Sequence, residues 1–263
     1  MRQLNDVAVL TVRNLVHIAR EPLQLSDVTV QPVLFTLLFV YVFGAGVVLP
    51  GGGSYTSFAI AGMLAMNLVT SSMGAAVGLS DDLGGGVIDR FRTLAMWRPA
   101  VLVGRTLADL LTAVICSAFV AVTGLVVGWR PEGSVLAALG GFGVFLLFSY
   151  ALSWGCACLG ILSKSPESAQ STGLVVVFPL AIVSNALVPT EHMPALLRTI
   201  ADWNPVSAVT AAARELFSNP NPSAHIHAWP MQHPLLASLL WSAALIAVFA
   251  PLASHLYRRR TTN

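Results

Sequence analysis

Apolar residues gather into long blocks at about 28–49, 56–79, 106–128, 135–162, 169–188 and 235–257, separated by short polar turns. A helix rises about 1.5 Å per residue, so roughly 20 apolar residues cross a bilayer. Each block therefore predicts one transmembrane helix, and the chain reads as an all-α integral membrane protein with six spans. Pro32 lies near the start of the first span, where a missing N–H is tolerated, and Pro179 predicts a kink in the fifth. The second block carries Gly62, Ser71, Ser72, Gly74 and Gly78. Small residues let helices approach closely in lipid, so this block predicts an internal packing face.

Two regions depart from the bilayer-length pattern. In residues 4–25, Ala8, Val12, Leu15, Val16, Ala19 and Leu23 recur at helical spacing, while Arg13, His17 and Arg20 form a polar stripe. This predicts an amphipathic helix lying in the membrane interface. Residues 189–234 are mixed and rich in proline, but 195–200 and 206–217 keep helical patterning. Asn204-Pro205 reads as a helix start, with Asn as the cap and Pro in the first turn. Leu196, Leu197, Ile200 and Trp203 give the first piece an apolar side, and neither piece is long enough to cross. They predict short helices lying at, or dipping into, the outer membrane face between spans five and six, within a single transmembrane domain over 1–263.

Charge then fixes orientation. The segment 80–105 breaks the apolar pattern with Asp81, Asp82, Asp89, Arg90, Arg92, Arg98 and Arg105. A charge at the bilayer centre costs about 2.5–3.5 kcal/mol or more, so this segment sits at a water boundary. Eleven basic residues, including Lys164 and Arg258 to Arg260, fall on the side of this segment, against Arg130, Arg198 and Arg214 on the other. The positive-inside rule then puts both termini and residues 80–105 in the cytoplasm, and residues 189–234 outside. Asp109 lies one turn inside the third span, with Arg105 four residues earlier as its expected partner. With 56% hydrophobic and 10% charged residues and a mean hydropathy of +0.75, the chain has too little charge to cover a water-facing surface. A net charge of +2 gives no basis for nucleic-acid binding.

Catalytic and cofactor chemistry finds little support. Lys164, the single lysine, lacks the glycines of a phosphate cradle, so no nucleotide-binding motif is present. Glu191-His192 lacks the second histidine of a zinc-protease helix, and Ser80-Asp81-Asp82 lacks a second aspartate within another span. His225, His227 and His233 read as solvated loop histidines, and Cys116, Cys156 and Cys158 as buried packing residues. No catalytic, cofactor or metal residue is expected, and the chain is not expected to be an enzyme.

Three stretches resemble a known family, the permease subunits of type-2 ABC exporters in the daunorubicin-resistance-like branch. TVRNLVHIAREP is similar to its interfacial elbow helix. DRFRTLAMWRPAVLVGRTLADLL resembles its cytoplasmic loop and following span, with Ala95 where many relatives have proline. SNALVPTEHMPALLRTIADWNPVSAVTAAARELF resembles its outer re-entrant hairpin, and the likeness covers essentially the whole chain.

The resemblance implies a membrane-spanning subunit of an exporter that moves a hydrophobic or amphipathic drug or lipid outward across a bacterial inner membrane. It further implies two copies of a separate ABC ATPase carrying ATP and Mg, and a second permease copy or a sister permease. On this reading Asp89, Arg90, Phe91, Arg92 and Leu94 form the ATPase-coupling helix, and Arg13, His17 and Arg20 belong to the elbow. Pro194, Trp203, Asn204, Pro205 and Arg214 belong to the exit hairpin, and Ser184 and Asn185 either line the substrate path or serve helix packing. From the residues alone, an ion-coupled carrier or a non-transporting membrane assembly subunit remain the alternatives.

Overall fold

In a computed structural model that describes residues 2–44, 46, 49, 52–85 and 100–262, all regular structure is helical. The expected coupling residues Asp89, Arg90, Phe91, Arg92 and Leu94 lie outside the described residues.

Helix α1 spans Arg2–Arg20 and α2 spans Pro22–Leu38, continued by a π turn at Phe39–Phe43. The interfacial helix is therefore shorter than the expected 4–25, and the first span starts earlier than residue 28 and ends before 49. Pro22 sets this boundary. It forces the preceding Glu21 out of the helical region, to φ −96 and ψ 105, while sitting comfortably in the first turn itself.

Helix α3 spans Tyr55–Ser71 and α4 spans Gly74–Gly84. The expected second span is thus interrupted and runs further, to Gly84. At the break Ser72 Oγ donates to the Val69 carbonyl at 2.6 Å, a back-bond of the kind that bends helices. Helix α5 spans Ala100–Val126, starting ahead of the expected Thr106, and α6 spans Val135–Leu162, with the expected bounds. Ser134 starts α6 by accepting the Ala137 N–H at 3.1 Å.

Helix α7 spans Pro166–Ile182, not the expected 169–188. Ser165 caps it, Pro166 fills its first turn, and regular structure stops three residues past Pro179 at Ile182. At 17 residues it is shorter than a full crossing, and the chain beyond it enters a buried irregular turn. The short helices α8 (Ala195–Trp203), α9 (Pro205–Phe217) and α10 (Trp229–Gln232) follow, then α11 (Pro234–Thr262).

Among the described residues, five helical stretches are long and apolar enough to cross a membrane. They are Pro22–Phe43, Tyr55–Gly84, Ala100–Val126, Val135–Leu162 and Pro234–Arg260. Helix α6 is central: α4, α9 and α11 all pack on it, while α1 and α2 pack on α5. Close approach relies on glycine where helices touch. A Cβ on Gly160 of α6 would lie 2.4 Å from the Ala76 carbonyl oxygen of α4. The exterior is apolar, with Leu34, Phe35 and Leu38 of α2, Leu111, Val114 and Ile115 of α5, and Leu236 and Leu240 of α11 all exposed. That is the surface hydrocarbon requires and water penalises.

Candidate functional site

The helices frame two polar clusters, one at each end of the bundle. At the first end the described chain stops at Gly85 and resumes at Ala100, so α4 and α5 flank the 86–99 segment. Arg13 of α1 pairs with Asp82 of α4 at 2.6 Å, and the Asp82 side chain is 8% exposed. One turn into α5, Arg105 Nε lies 3.5 Å from Asp109 Oδ1, which is the expected boundary pair. The arginine also donates from Nη2 to the Gly74 carbonyl at 2.6 Å. Gly74 and Gly78 make this possible, since a Cβ at Gly78 would lie 2.1 Å from the Arg105 guanidinium carbon. Gly74 and Gly78 of the second span therefore make room for a cation.

Helix α1 is held against the same cluster. Thr11 Oγ1 bonds the carbonyls of Val7 and Gly104, and a Cβ at Gly104 would lie 2.9 Å from Leu10 Cβ. The face that docks on α5 is Val7, Leu10, Thr11 and Asn14, which sequence periodicity did not single out. The expected apolar stripe points elsewhere: Ala8, Val12, Val16, Ala19 and Leu23 are exposed, as are His17 and Arg20. Such a helix offers apolar and basic groups to an interface while its third side holds the protein. At the end of α11, Arg260 donates to the carbonyls of Ile161 and Ser163, satisfying the C-terminus of α6.

The second end is built around α9, which is buried over most of its length. Asn204 closes two helices at once. Its Oδ1 accepts the Val206 N–H at 2.8 Å to start α9, and its Nδ2 donates to the Leu180 and Val183 carbonyls where α7 unwinds. Arg214, expected to belong to the exit hairpin, is fully buried. Its guanidinium donates to the carbonyls of Asn185 (3.0 Å), Ala186 (2.8 Å) and Phe58 (3.2 Å), and stacks 3.7 Å above the Phe58 ring. Phe217, one turn on, fills a pocket against Trp129, Phe142 and Phe145.

Ser184 and Asn185 are buried as well. Asn185 donates from Nδ2 to Ser223 Oγ at 2.8 Å, and its backbone N–H to Ser207 Oγ at 2.9 Å. In this chain both residues are engaged in holding the unwound end of α7. Pro194 and Trp203, by contrast, are exposed on α8 and its approach, and Pro205 is half-buried. Asp202 of α8 accepts from Thr190 Oγ1 at 3.1 Å, and burial raises its pKa against the opposing pull of Thr190 and Arg198. Between the ends, α2 and α5 border a shallow apolar cleft of about 480 Å³, lined by Leu25, Thr29, Val30, Val33, Leu34 and Phe119.

These features make a helical protein with bilayer-length apolar helices, and comparison with known proteins decides its kind. The model of the family described as "ABC-2 type transporter" matches residues 5–217, from α1 to the end of α9. The chain belongs to this family. The permease is similar to the daunorubicin resistance ABC transporter permease protein DrrB1 of Streptomyces coeruleorubidus. The two are 35% identical over 92% of this chain and 82% of the relative. It is also 25% identical to a probable doxorubicin resistance ABC transporter permease protein, DrrC, of Mycobacterium tuberculosis, over 96% of this chain and 88% of that one. A putative transport permease of Pyropia yezoensis is 24% identical over 83% of this chain and 76% of its own length. The permease is thus a multi-pass membrane subunit of an ABC transporter, and its family implies an ABC ATPase partner.

Three contributors escaped the sequence reading. Asp82 gave no sign that it would meet Arg13, 69 positions away. Arg260 looked like one of three terminal topogenic arginines, and Phe58 like ordinary span content. The available signal was Gly62, whose place in the small-residue stripe of α3 marks the point where the unwound end of α7 comes in.

Proposed function

We propose that this permease is the membrane half of an ATP-driven exporter that moves a hydrophobic or amphipathic compound outward. The observation that carries this is the 35% identity over nearly the whole chain to a permease named for daunorubicin resistance. The physical character of the bundle agrees with it. Among the described charges of the apolar helices, Arg105 pairs with Asp109, Asp82 pairs with Arg13, and Arg214 is bonded to carbonyls. Around these groups, α2, α5 and α11 present broad apolar faces.

The ATPase docks on residues 86–99, with Phe91 as apolar anchor and Asp89, Arg90, Arg92 and Leu94 around it. Two ATPase copies, holding ATP and Mg, serve two permease copies or this chain and a sister permease. Both termini and the coupling segment face the cytoplasm of a bacterium, and α7 with its buried turn serves as the fifth of six spans. Residues 189–234 form the outer hairpin, and the transported compound passes between the two permeases. The Arg13–Asp82 pair and the bond from Arg105 to the Gly74 carbonyl support this reading because they tie α1 and α5 to α4 where the stroke of the ATPase would arrive.

Co-purification tests it. The chain is extracted in detergent from its own host, as wild type and as the Phe91→Ala, Arg92→Glu double variant, and ATP hydrolysis in the eluate is measured. An ATPase that accompanies the wild type and is lost from the variant is the expected result. No hydrolysis with either chain, alongside proton-driven uptake by the purified chain alone, would replace the exporter by a carrier.

A further inference from the structure

Arg214 is a cation with no room to be anything but structural, yet it is placed where structure and movement meet. It is fully buried, and among the described residues no carboxylate pairs with it. Its hydrogen-bond partners are three main-chain carbonyls from two different elements, Phe58 in α3 and Asn185 with Ala186 in the unwound end of α7. Such groups cannot move away without leaving a buried guanidinium unsolvated, which makes the contact all-or-none rather than slack. The same point is sealed from the other side. A Cβ on Gly62 would lie 1.8 Å from the Ala186 oxygen, so α3 and the turn touch backbone to backbone. A second tie lies just beyond, where Asn219 Nδ2 donates to the Ser57 carbonyl at 3.1 Å.

Building on the exporter reading, we infer that Arg214 is a positioning residue that makes α9, the unwound end of α7 and α3 one rigid body. Helix α3 continues through the Ser72–Met73 break into α4, which leads directly to the 86–99 segment. A movement of that body is thus delivered to the far end of the bundle without α9 ever hinging away from α3. Helix α9, the unwound end of α7 and α3 move together, with no hinge between them.

The test joins Ser57→Cys to Asn219→Cys in a background lacking Cys116, Cys156 and Cys158, in inverted vesicles that contain the ATPase subunit. The pair is bridged with a short bis-methanethiosulfonate, and ATP-dependent uptake of doxorubicin is followed. Uptake at the unbridged rate is expected. Uptake that falls to the ATP-free level after bridging and returns on reduction would overturn the inference.

If wild-type vesicles take up no doxorubicin, the exporter reading fails with that probe, and the clamp is judged separately from distances between spin labels at the same two positions in nanodiscs. One narrow distribution is expected, with broadening in Arg214→Gln, or in Gly62→Ala should Arg214→Gln not fold. Two populations in the parent protein, or no broadening in a folded variant, would refute the role of Arg214.

Discussion

Replacing Arg105 by Met tests the polar cluster that flanks the 86–99 segment. The Asp109 side chain is 6% exposed and that of Arg105 is 15% exposed, so the substitution strands a carboxylate in a nearly dry site. Removing one partner of a buried pair costs about 3–5 kcal/mol. The 3.5 Å separation is loose, and the arginine's shortest bond goes to the Gly74 carbonyl instead. That places the expected loss near the lower bound, about 3 kcal/mol. Gly78→Ala should reproduce it, because the new methyl would occupy the guanidinium's position, 2.1 Å from Cζ. Combining Gly78→Ala with Arg105→Met should therefore cost little more than either alone, since both remove the same contact. Arg105→Met with Asp109→Leu removes both charges and should recover to within about 1 kcal/mol of the wild type. Unfolding in mixed detergent micelles, followed by tryptophan fluorescence, measures each variant. A charge-free double variant as unstable as Arg105→Met, or full additivity with Gly78→Ala, would refute the reasoning.

Other parts of the structure give equally definite expectations. Trp129 is 1% exposed and packs edge-on against Phe217 at 5.4 Å, but among the described residues its indole N–H has no partner. Trp129→Phe should thus cost less than about 1.5 kcal/mol, whereas Trp129→Ala should cost about 3–5 kcal/mol, both by the same unfolding assay. Arg260→Ala removes the donor to the last carbonyls of α6 and should cost about 1–2 kcal/mol, a loss that Arg260→Lys partly restores. Asp202 has its pKa raised by burial, so the native state holds that proton more tightly than the unfolded chain. Its contribution to stability is present below the ordinary value of 3.8 and declines as pH rises through the higher folded value. Asp202→Asn should remove that slope from a stability-versus-pH curve.

Long apolar blocks were readable because hydrocarbon imposes a length and a composition on any helix that crosses it. Helix α6 shows this best, with expected and observed bounds in agreement. The boundaries that shifted were those set by local chemistry. Pro22 moved the end of α1, and the carbonyls released past Pro179 shortened α7 because Asn204 and Arg214 were there to satisfy them. Arg105–Asp109 was visible as a spacing of four on one helix. Arg13–Asp82 and Arg214–Phe58 were not, since each joins residues from elements whose contact depends on the assembled bundle. Arg214 is buried because the carbonyls of the unwound turn beside it receive its guanidinium.

The central claim is that ATP hydrolysis on a partner, delivered through residues 86–99, drives export. ATP-dependent accumulation of doxorubicin in inverted vesicles containing this chain and its ATPase tests that claim most directly. Accumulation by the wild type that disappears in the Phe91→Ala, Arg92→Glu variant, while the variant's level in the membrane is unchanged, is the predicted result. Equal ATP-dependent accumulation by both chains would contradict the account.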